Sequence, residues 1–490
     1  MMAFFGLAIG AAIFKPVVVG TVARVTDEHN SSMGFGIFYM MINVGGFVGP
    51  IVAGLLRGWS WSYVFIAFSS WIFLNLIIVL LFYKDPTTEA GSATRRTFRK
   101  VLENTVEVLG NLRFFITAFT IIVALMVANQ GVRWFTWTAC AGFIAIWLVV
   151  NVLYDAVLPR GGGRPVETGM PRRPWFLKRM HCSNWRFALF LLIMSGFWAS
   201  FQQMFITVPE YIRDFTETRP MISAAESLLG KGDPSDPDAG PAATMATISE
   251  SERTQVVKKF EKLVAAQAAG TLDETELGAA ARELLESKVR LSPSQLQEIV
   301  SGGADVQSLS DRGVALGRQV NPEFIVNIDA FAIILFQVLI SFLMGRFHRF
   351  STIISGMMVA GVGITLWAFA GDSGMTGKGG SVWIVALGIF IFAVGEMMAS
   401  PTSQEYVGRI APRDKVALYM GYYFVSMALG FLIAGIMSGQ LYGKLARDLQ
   451  RPDLMWLAFG GLMFLTALAF FLYNRFALPK TTTLGEPSNV

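Results

Sequence analysis

The sequence predicts an all-α membrane protein with about eleven transmembrane helices. Hydrophobic residues make up 53% of the 490 residues and charged residues only 15%, whereas soluble globular domains carry about 25% charged residues. The mean hydropathy of the chain is +0.50. A helix needs about 20 apolar residues to cross the hydrocarbon core. Eleven runs of that length are present, at roughly 3–25, 34–56, 61–83, 112–130, 133–155, 186–208, 323–345, 351–371, 381–404, 416–440 and 454–474.

The charges between these runs predict their orientation. The first run has no basic segment before it and no small-residue cleavage site, so we interpret it as a span and not as a signal peptide. Arg and Lys favour cytoplasmic loops, and here they concentrate at 84–113, 159–186, 345–350 and 409–415. The first residue is therefore predicted outside and Val490 inside. Lys444, Arg447 and Arg451 fall on the predicted outer side, although neighbouring acidic residues dilute their charge.

A long polar segment at 209–322 interrupts the apolar pattern. It contains a linker, GKGDPSDPDAGPAATMA, followed by ERTQVVKKFEKLVAAQAA and LDETELGAAARELLESKVRL. The apolar residues of the last two stretches recur at helical spacing, and acidic residues lie near their starts. We expect a small helical insert on the outer face. Its simplest interpretation is a solvent-exposed unit that takes no part in transport.

Several function classes lack support. The net charge of +5 is small and the basic residues lie in short loops, which argues against nucleic-acid binding. Cys140 and Cys182 have neither CxxC nor Cys/His ligand spacing, so we predict no disulfide and no metal site. Glycine-rich phosphate loops are absent from the sequence, so no nucleotide or other cofactor is expected. None of these patterns favours an enzyme.

Three polar side chains stand inside apolar runs, where each is costly without a partner. Asn43 lies within FGIFYMMINVGGF, and Lys15 lies about 18 Å along the helix from the start of its run, near the bilayer middle. Glu396 is the only acidic residue deep in its span. Each has a purely structural alternative: an interhelical hydrogen bond for Asn43, helix packing for Lys15, and a fastening salt bridge for Glu396.

The stretch around Asn43 also carries a family resemblance. Residues 35–47 resemble, position by position, the second signature of the proton-dependent oligopeptide transporter family of the major facilitator superfamily. Further stretches resemble other motifs of that family: GLAIGAAIFKP at 6–16, FWASFQQ at 197–203, GEMMASP at 395–401 and the pair Asn321-Pro322. The resemblance implies a major facilitator fold.

The resemblance also implies an architecture. Nothing before Met1 resembles the first three helices of the family, so we expect an amino-terminally truncated fold and about 100 further residues encoded upstream. The runs at 112–130 and 133–155 would be two extra helices between the amino-terminal and carboxy-terminal halves of the fold. The chain then begins with the remainder of the amino-terminal half at 1–83, followed by cytoplasmic linkers with the two extra helices at 84–185. The first span of the carboxy-terminal half lies at 186–208, the insert at 209–322, the remaining spans at 323–474 and a tail at 475–490.

Site roles follow from the resemblance. It implies that Lys15 and Glu396 serve substrate termini or proton coupling. Gln202 stands where the family has a glutamate and cannot exchange a proton, and Asp329 is a candidate replacement for that carboxylate. The candidate substrate-binding residues are Asn43 and Asn321 for a peptide backbone, Trp198 and Tyr423 as pocket walls, and Ser400 beside Pro401.

The implied function is proton-coupled symport of short peptides or related small solutes by alternating access. The expected partners are the lipid bilayer, protons and a di- or tripeptide-like substrate. The expected location is the plasma (inner) membrane, with several spans, a cytoplasmic carboxy terminus and an extracytoplasmic insert. Two alternatives stay open. One is a major facilitator for another solute, such as a drug or an amino acid, which Gln202 favours. The other is a transport-dead truncated scaffold, which the missing helices favour and the intact Lys15, Asn43 and Glu396 disfavour.

Overall fold

The described part of the chain is helical. The computed structural model describes residues 2–27, 30–57, 60–83, 110–158, 175–182, 184–230, 245–303, 305–371, 380–412 and 415–478. Within these residues there are no strands beyond three isolated bridges, so the predicted all-α class is confirmed. Most of the basic segments at 84–113 and 159–186, the linker after Gly230 and most of the tail at 475–490 lie outside the described residues.

The helices follow the predicted apolar runs. They are α1 (Met2–Val25), α2 (Ser31–Arg57), α3 (Trp61–Phe82), α4 (Leu112–Asn129), α5 (Trp137–Val157), α6 (Trp185–Phe201), α7 (Gln203–Phe215), α8 (Arg219–Leu229), α9 (Glu250–Ala268), α10 (Glu274–Leu285), α11 (Pro293–Ser301), α12 (Val306–Gly317), α13 (Pro322–Val326), α14 (Ile328–Met344), α15 (Arg349–Leu366), α16 (Val382–Ile410), α17 (Val416–Leu441) and α18 (Pro452–Leu472). Short π-helical turns extend α17 and α18, at Tyr442–Asp448 and Tyr473–Ala477.

The described residues contain ten helical stretches that are long and apolar enough to cross a membrane. They correspond to ten of the eleven predicted spans. The first predicted span coincides with α1, a 24-residue helix several of whose side chains lie outside the described set. Four spans are longer than predicted. Helices α6 and α7 run together over Trp185–Phe215, α16 continues through Pro401 to Ile410, and the π-helical turns extend α17 to Asp448 and α18 to Ala477.

The bundle core lies between α6, α7 and α15–α18, where large aromatic side chains are fully buried. Small residues let α15 and α16 approach closely. A Cβ at Gly356 would lie 2.7 Å from the carbonyl oxygen of Gly395, and one at Gly363 would lie 2.6 Å from that of Gly388. Close packing of small residues is a main source of helix association in membranes, so these glycines fix the spacing of the two helices.

The amino-terminal helices pack on this bundle mainly through α1 and α2. Helix α1 lies against α17 and α2 lies against α14 and α16. Close approaches occur at the predicted cytoplasmic ends, where a Cβ at Gly20 would lie 3.4 Å from the backbone of Ala417 and one at Gly408 would lie 2.9 Å from the Cβ of Ala23. Helix α3 packs chiefly on α2 and exposes most of its apolar side chains, as a lipid-facing helix does.

Helices α4 and α5 form a hairpin with a polar cluster near its predicted cytoplasmic end. The buried Arg113 guanidinium pairs with the Asp155 carboxylate and donates to Asn151 Oδ1 over 3.3 Å. The hairpin contacts the bundle where the rings of Phe115 and Tyr422 stack with centroids 6.2 Å apart. The cluster joins the two helices of the hairpin to each other.

The insert forms a separate helical unit from α9 to α12 with its own apolar core. Helices are present at both stretches where the sequence predicts them. Helix α9 begins with a capping box in which Ser249 and Glu252 bond each other's backbone N–H groups. Partial burial raises the pKa of Glu252, but hydrogen bonds from Ser249 and the nearby Lys288 ammonium outweigh it and hold the pKa below its ordinary value.

The insert is anchored to the end of α7. The backbone N–H and hydroxyl of Thr218 donate to Gln319 Oε1 over 2.8 and 2.9 Å, and the N–H of Val320 donates to the Thr218 hydroxyl over 2.8 Å. Arg290 Nη2 donates to the carbonyl of Arg213 over 2.7 Å. The two chain segments that enter and leave the insert therefore lie side by side.

The basic segment Tyr442–Asp448, which follows α17 on the predicted outer side, contacts acidic residues of α7. Arg447 lies 3.5 Å from both Glu210 and Asp214, and the Tyr442 hydroxyl donates to Asp214 over 2.7 Å. These contacts give Arg447 a structural role that explains a basic residue on that side.

Candidate functional site

The candidate site lies where α2 meets α14 and α16, and Glu396 is at its centre. Glu396 is 2% exposed, near the middle of α16. The Tyr39 hydroxyl of α2 donates to Glu396 Oε1. This hydrogen bond joins residues 357 positions apart in the chain, and it connects the amino-terminal helices to the carboxy-terminal bundle.

A second carboxyl group lies beside Glu396. Asp329, in the first turn of α14, is also 2% exposed, and the two carboxyl groups are within hydrogen-bonding reach of each other. Among the described residues, no donor reaches Asp329 Oδ1 or Glu396 Oε2. The Ser400 hydroxyl lies one turn along α16, within reach of Tyr39. The structure thus brings together three of the predicted site residues: Glu396, Asp329 and Ser400.

Sequence reasoning missed Tyr39 as a site residue. An aromatic residue inside an apolar helix usually packs in the core, and nothing in the sequence places Tyr39 opposite a carboxylate. The available signal was its position four residues before Asn43, one helical turn away.

Asn43 bonds its own helix. Its Nδ2 donates to the carbonyl of Tyr39 over 3.1 Å, and the side chain is half-buried. Among the described residues Asn43 forms no hydrogen bond to another helix, and contact with a substrate backbone stays a prediction. The bond does place Asn43 directly beside Tyr39 on α2.

Trp198 and Tyr423 lie together in the aromatic core between α6 and α17. Trp198 is 2% exposed and therefore faces the helix core and not the lipid. Its ring meets that of Tyr423 edge-on with centroids 6.2 Å apart, and the Tyr423 hydroxyl lies 2.7 Å from Ser403 Oγ. Both residues pack as core in this arrangement, and their role as pocket walls stays a prediction.

Gln202 lies at the break between α6 and α7 and is half-buried. The polar link at this break is made by its neighbour Gln203, which sequence reasoning passed over. Gln203 is fully buried, and its Nε2 donates to the carbonyls of Ala199 and Ala434 over 3.1 and 3.2 Å. This side chain ties the break to α17.

Lys15 and Asn321 are not brought to the carboxyl pair. Lys15 is exposed on α1 and forms no ion pair with the residues that the structure describes. Asn321 precedes α13, where its backbone N–H donates to the carbonyl of Met245 over 2.8 Å. The structure therefore places Asn321 at the junction with the insert, two helical turns before Asp329.

A second polar contact joins the halves at the predicted cytoplasmic end. Glu405, 3% exposed on α16, accepts from the Ser31 hydroxyl of α2 and from Arg349 Nε of α15, the latter over 3.0 Å. Arg409 lies 3.7 Å from Glu405 and donates to the carbonyl of Asp27. Sequence reasoning missed this contact because it ended the span at residue 404.

Comparison with known proteins identifies the fold family. The family description that matches is Major Facilitator Superfamily, over residues 1–139 and 320–488. The chain belongs to the major facilitator superfamily. Residues 140–319, between the matched parts, include α6, α7 and the insert.

Individual relatives are peptide transporters. The chain is 37% identical over 79 residues to the peptide transporter YePEPT of Yersinia enterocolitica, a match that spans 13% of this chain and 15% of that protein. The predicted resemblance to peptide transporters is thus confirmed. A solved POT family transporter in complex with a thioalcohol conjugated peptide is 16% identical, with a TM-score of 0.46, over 94% of this chain and 73% of that one. Another, in complex with 5-aminolevulinic acid, is 15% identical, with a TM-score of 0.46, over 96% and 75%.

Proposed function

We propose that the chain is a secondary active transporter that carries short peptides or related small solutes by alternating access, in symport with protons. The observation that carries the proposal is the buried contact of Tyr39 and Glu396 between the amino-terminal helices and the carboxy-terminal bundle, with Asp329 beside it. Membership of the major facilitator superfamily supports transport, and the curated relative supports peptides as the substrate class.

The position of the cluster fits an alternating-access site. In transporters built from repeats, substrate and coupling-ion sites lie near the bilayer midplane at the repeat interface. Glu396 lies about 21 Å along α16 from its first residue, which is close to the middle of a helix long enough to span the membrane. The cluster also lies between elements on opposite sides of the interface, α2 and the pair α14 and α16.

The chemistry of the cluster fits both substrate and proton. A buried carboxyl group inside a membrane helix is costly and marks ion or substrate pathways. Glu396 can pair with the amino terminus of a peptide when ionised and carry a proton when neutral. We therefore infer that Glu396 is the coupling residue, and that Asn43, beside Tyr39, and Ser400, beside Glu396, supply hydrogen bonds to the substrate.

The second contact, around Glu405, supports an arrangement closed at one end. Charged loops 345–350 and 409–415 favour the cytoplasm for that end. We accordingly infer a multi-pass protein of the plasma (inner) membrane, with the Glu405 contact and the carboxy terminus inside and the insert outside.

The test is uptake by the full chain in proteoliposomes. We expect dipeptide uptake that rises when a proton gradient, acidic outside, is imposed, and little uptake of free amino acids. Uptake of dipeptides that ignores the gradient would contradict proton coupling. Uptake of amino acids or of a drug but not of peptides would contradict the substrate class, and no uptake of any solute in a folded sample would favour a non-transporting scaffold.

A further inference from the structure

The carboxyl groups of Asp329 and Glu396 face each other without a cation between them. Each residue is 2% exposed, and the two groups are within hydrogen-bonding reach. Among the described residues, no Lys, Arg or His forms an ion pair with either one. The oxygens Asp329 Oδ1 and Glu396 Oε2 receive no hydrogen bond from a described donor.

The neighbouring helices offer little that changes this charge balance. Helix α2 contributes the Tyr39 hydroxyl, a neutral donor to Glu396. At Gly395, one position before Glu396, the nearest atoms of α15 are backbone atoms of Gly356 and Ala360. On α17 the Tyr423 hydroxyl lies 2.7 Å from Ser403 Oγ of α16. Lys15 of α1 is exposed.

Two ionised carboxylates in this arrangement would repel each other in a site from which water is largely excluded. Two carboxylates sharing a buried site cannot both ionise readily. One proton on either oxygen turns the repulsion into an O–H···O hydrogen bond, and hydrogen bonds to an ionised acceptor are among the stronger ones in proteins. A single proton therefore satisfies both oxygens that lack a donor.

We propose that Asp329 and Glu396 form one proton-sharing unit, which keeps a resident proton between its two carboxyl groups and binds the transported proton as a second one. This deepens the proposed function and rests on it only for the second proton. With one proton the unit carries a charge of −1, and with two it is neutral. The transported proton comes from the solution and adds to the remaining carboxylate, and no other bond forms or breaks.

Tyr39 couples this charge to the contact between the halves. Its hydroxyl donates to Glu396 Oε1, and a donor binds an anionic carboxyl group more strongly than a neutral one. Binding of the second proton therefore weakens the contact between α2 and α16. Loading of the unit favours separation of the two helices, and unloading favours their contact.

The resident proton gives a signal that does not depend on transport. We would record pH-difference infrared spectra of the full chain in lipid nanodiscs and follow the absorption of protonated carboxyl groups. The wild type should retain such a band at alkaline pH, and Asp329→Asn and Glu396→Gln should each lose it, because the like charge is gone and the N–H of the new amide can donate to the remaining carboxylate. Asp329→Glu should restore the band, and Glu261→Gln, an exposed position on the insert, should leave it unchanged.

Three results would overturn the proposal. One is absence of the alkaline band in the wild type, and another is its persistence in both single variants. The third is loss of the wild-type band on addition of Na⁺ at constant alkaline pH, which would make the pair a metal-cation site. Tyr39→Phe should keep the band yet reduce gradient-driven uptake, and unchanged uptake by this variant would disprove the coupling role of Tyr39. A chain that keeps the band but moves no peptide would instead contradict the proposed function alone.

Discussion

Replacing Glu405 by Gln should loosen the contact between the halves at the predicted cytoplasmic end. The bond that crosses the interface runs from the Ser31 hydroxyl of α2 to the Glu405 carboxylate, and the substitution leaves Ser31 a neutral amide oxygen as its acceptor. Hydrogen bonds to charged groups contribute about 1.5–3 kcal/mol. A hydrogen bond to a neutral acceptor contributes about 0.5–1.5 kcal/mol, so the exchange weakens the contact by about 1–1.5 kcal/mol. Since 1.4 kcal/mol corresponds to a factor of about ten in an equilibrium constant, the open population should rise about tenfold.

Cysteine alkylation measures this population. After replacement of the free thiols Cys140 and Cys182 by Ser, a cysteine at Ala23, which packs on Gly408, reports opening of the interface. Glu405→Gln should raise its alkylation rate about tenfold, and Glu261→Gln should leave the rate unchanged. An alkylation rate equal to that of the parent would refute the assignment of Glu405 to a contact that holds the halves together.

Three further predictions concern packing and the insert. Deleting 220–317 with a short Gly/Ser link should preserve expression and uptake. A deletion that also removes Thr218 should lower the yield of folded protein in detergent, because Gln319 and Val320 then lose their hydrogen bonds to Thr218. Gly395→Leu should abolish folding by forcing α15 and α16 apart, while Gly443→Leu, which has open space around it, should fold, as size-exclusion chromatography would show. The lowered pKa of Glu252 contributes stability to the insert that is fully present above pH 4.5, the ordinary pKa, and is lost as the pH falls through the lower pKa of the folded state. Hydrogen exchange of α9 in the full chain should therefore accelerate in acid, and should accelerate less in Glu252→Gln.

The spans were predictable because their signal is local. An apolar run of bilayer length forms a helix whatever its neighbours are, since no water satisfies the backbone there. Likewise, Ser249 and Glu252 form the capping box that starts α9 within four residues of chain. The end of α16 was less predictable, because the helix continues beyond the predicted end at residue 404 as a buried helix and so carries Glu405 into the contact between the halves.

The candidate site was predictable only in part. Glu396 was found because a carboxyl group in an apolar run is anomalous by itself, and Asp329 because it is acidic near the start of a span. Their juxtaposition depends on the packing of α14 against α16, and the bond from Tyr39 depends on the packing of α2. A single sequence contains no information about such pairings. The same limit explains why Asn43, bonded to its own helix, resembled an interhelical contact.

Proton-driven uptake and substrate exchange by Glu396→Gln test most directly whether Glu396 couples transport to protons. Only a carboxyl group can change charge at this position, so the variant should lose proton-driven accumulation of dipeptide and retain measurable exchange of labelled for unlabelled dipeptide across the membrane. Glu261→Gln, on the exposed face of the insert, should match the wild type in both assays. Proton-driven accumulation by Glu396→Gln at the wild-type rate would show that Glu396 is not the coupling residue.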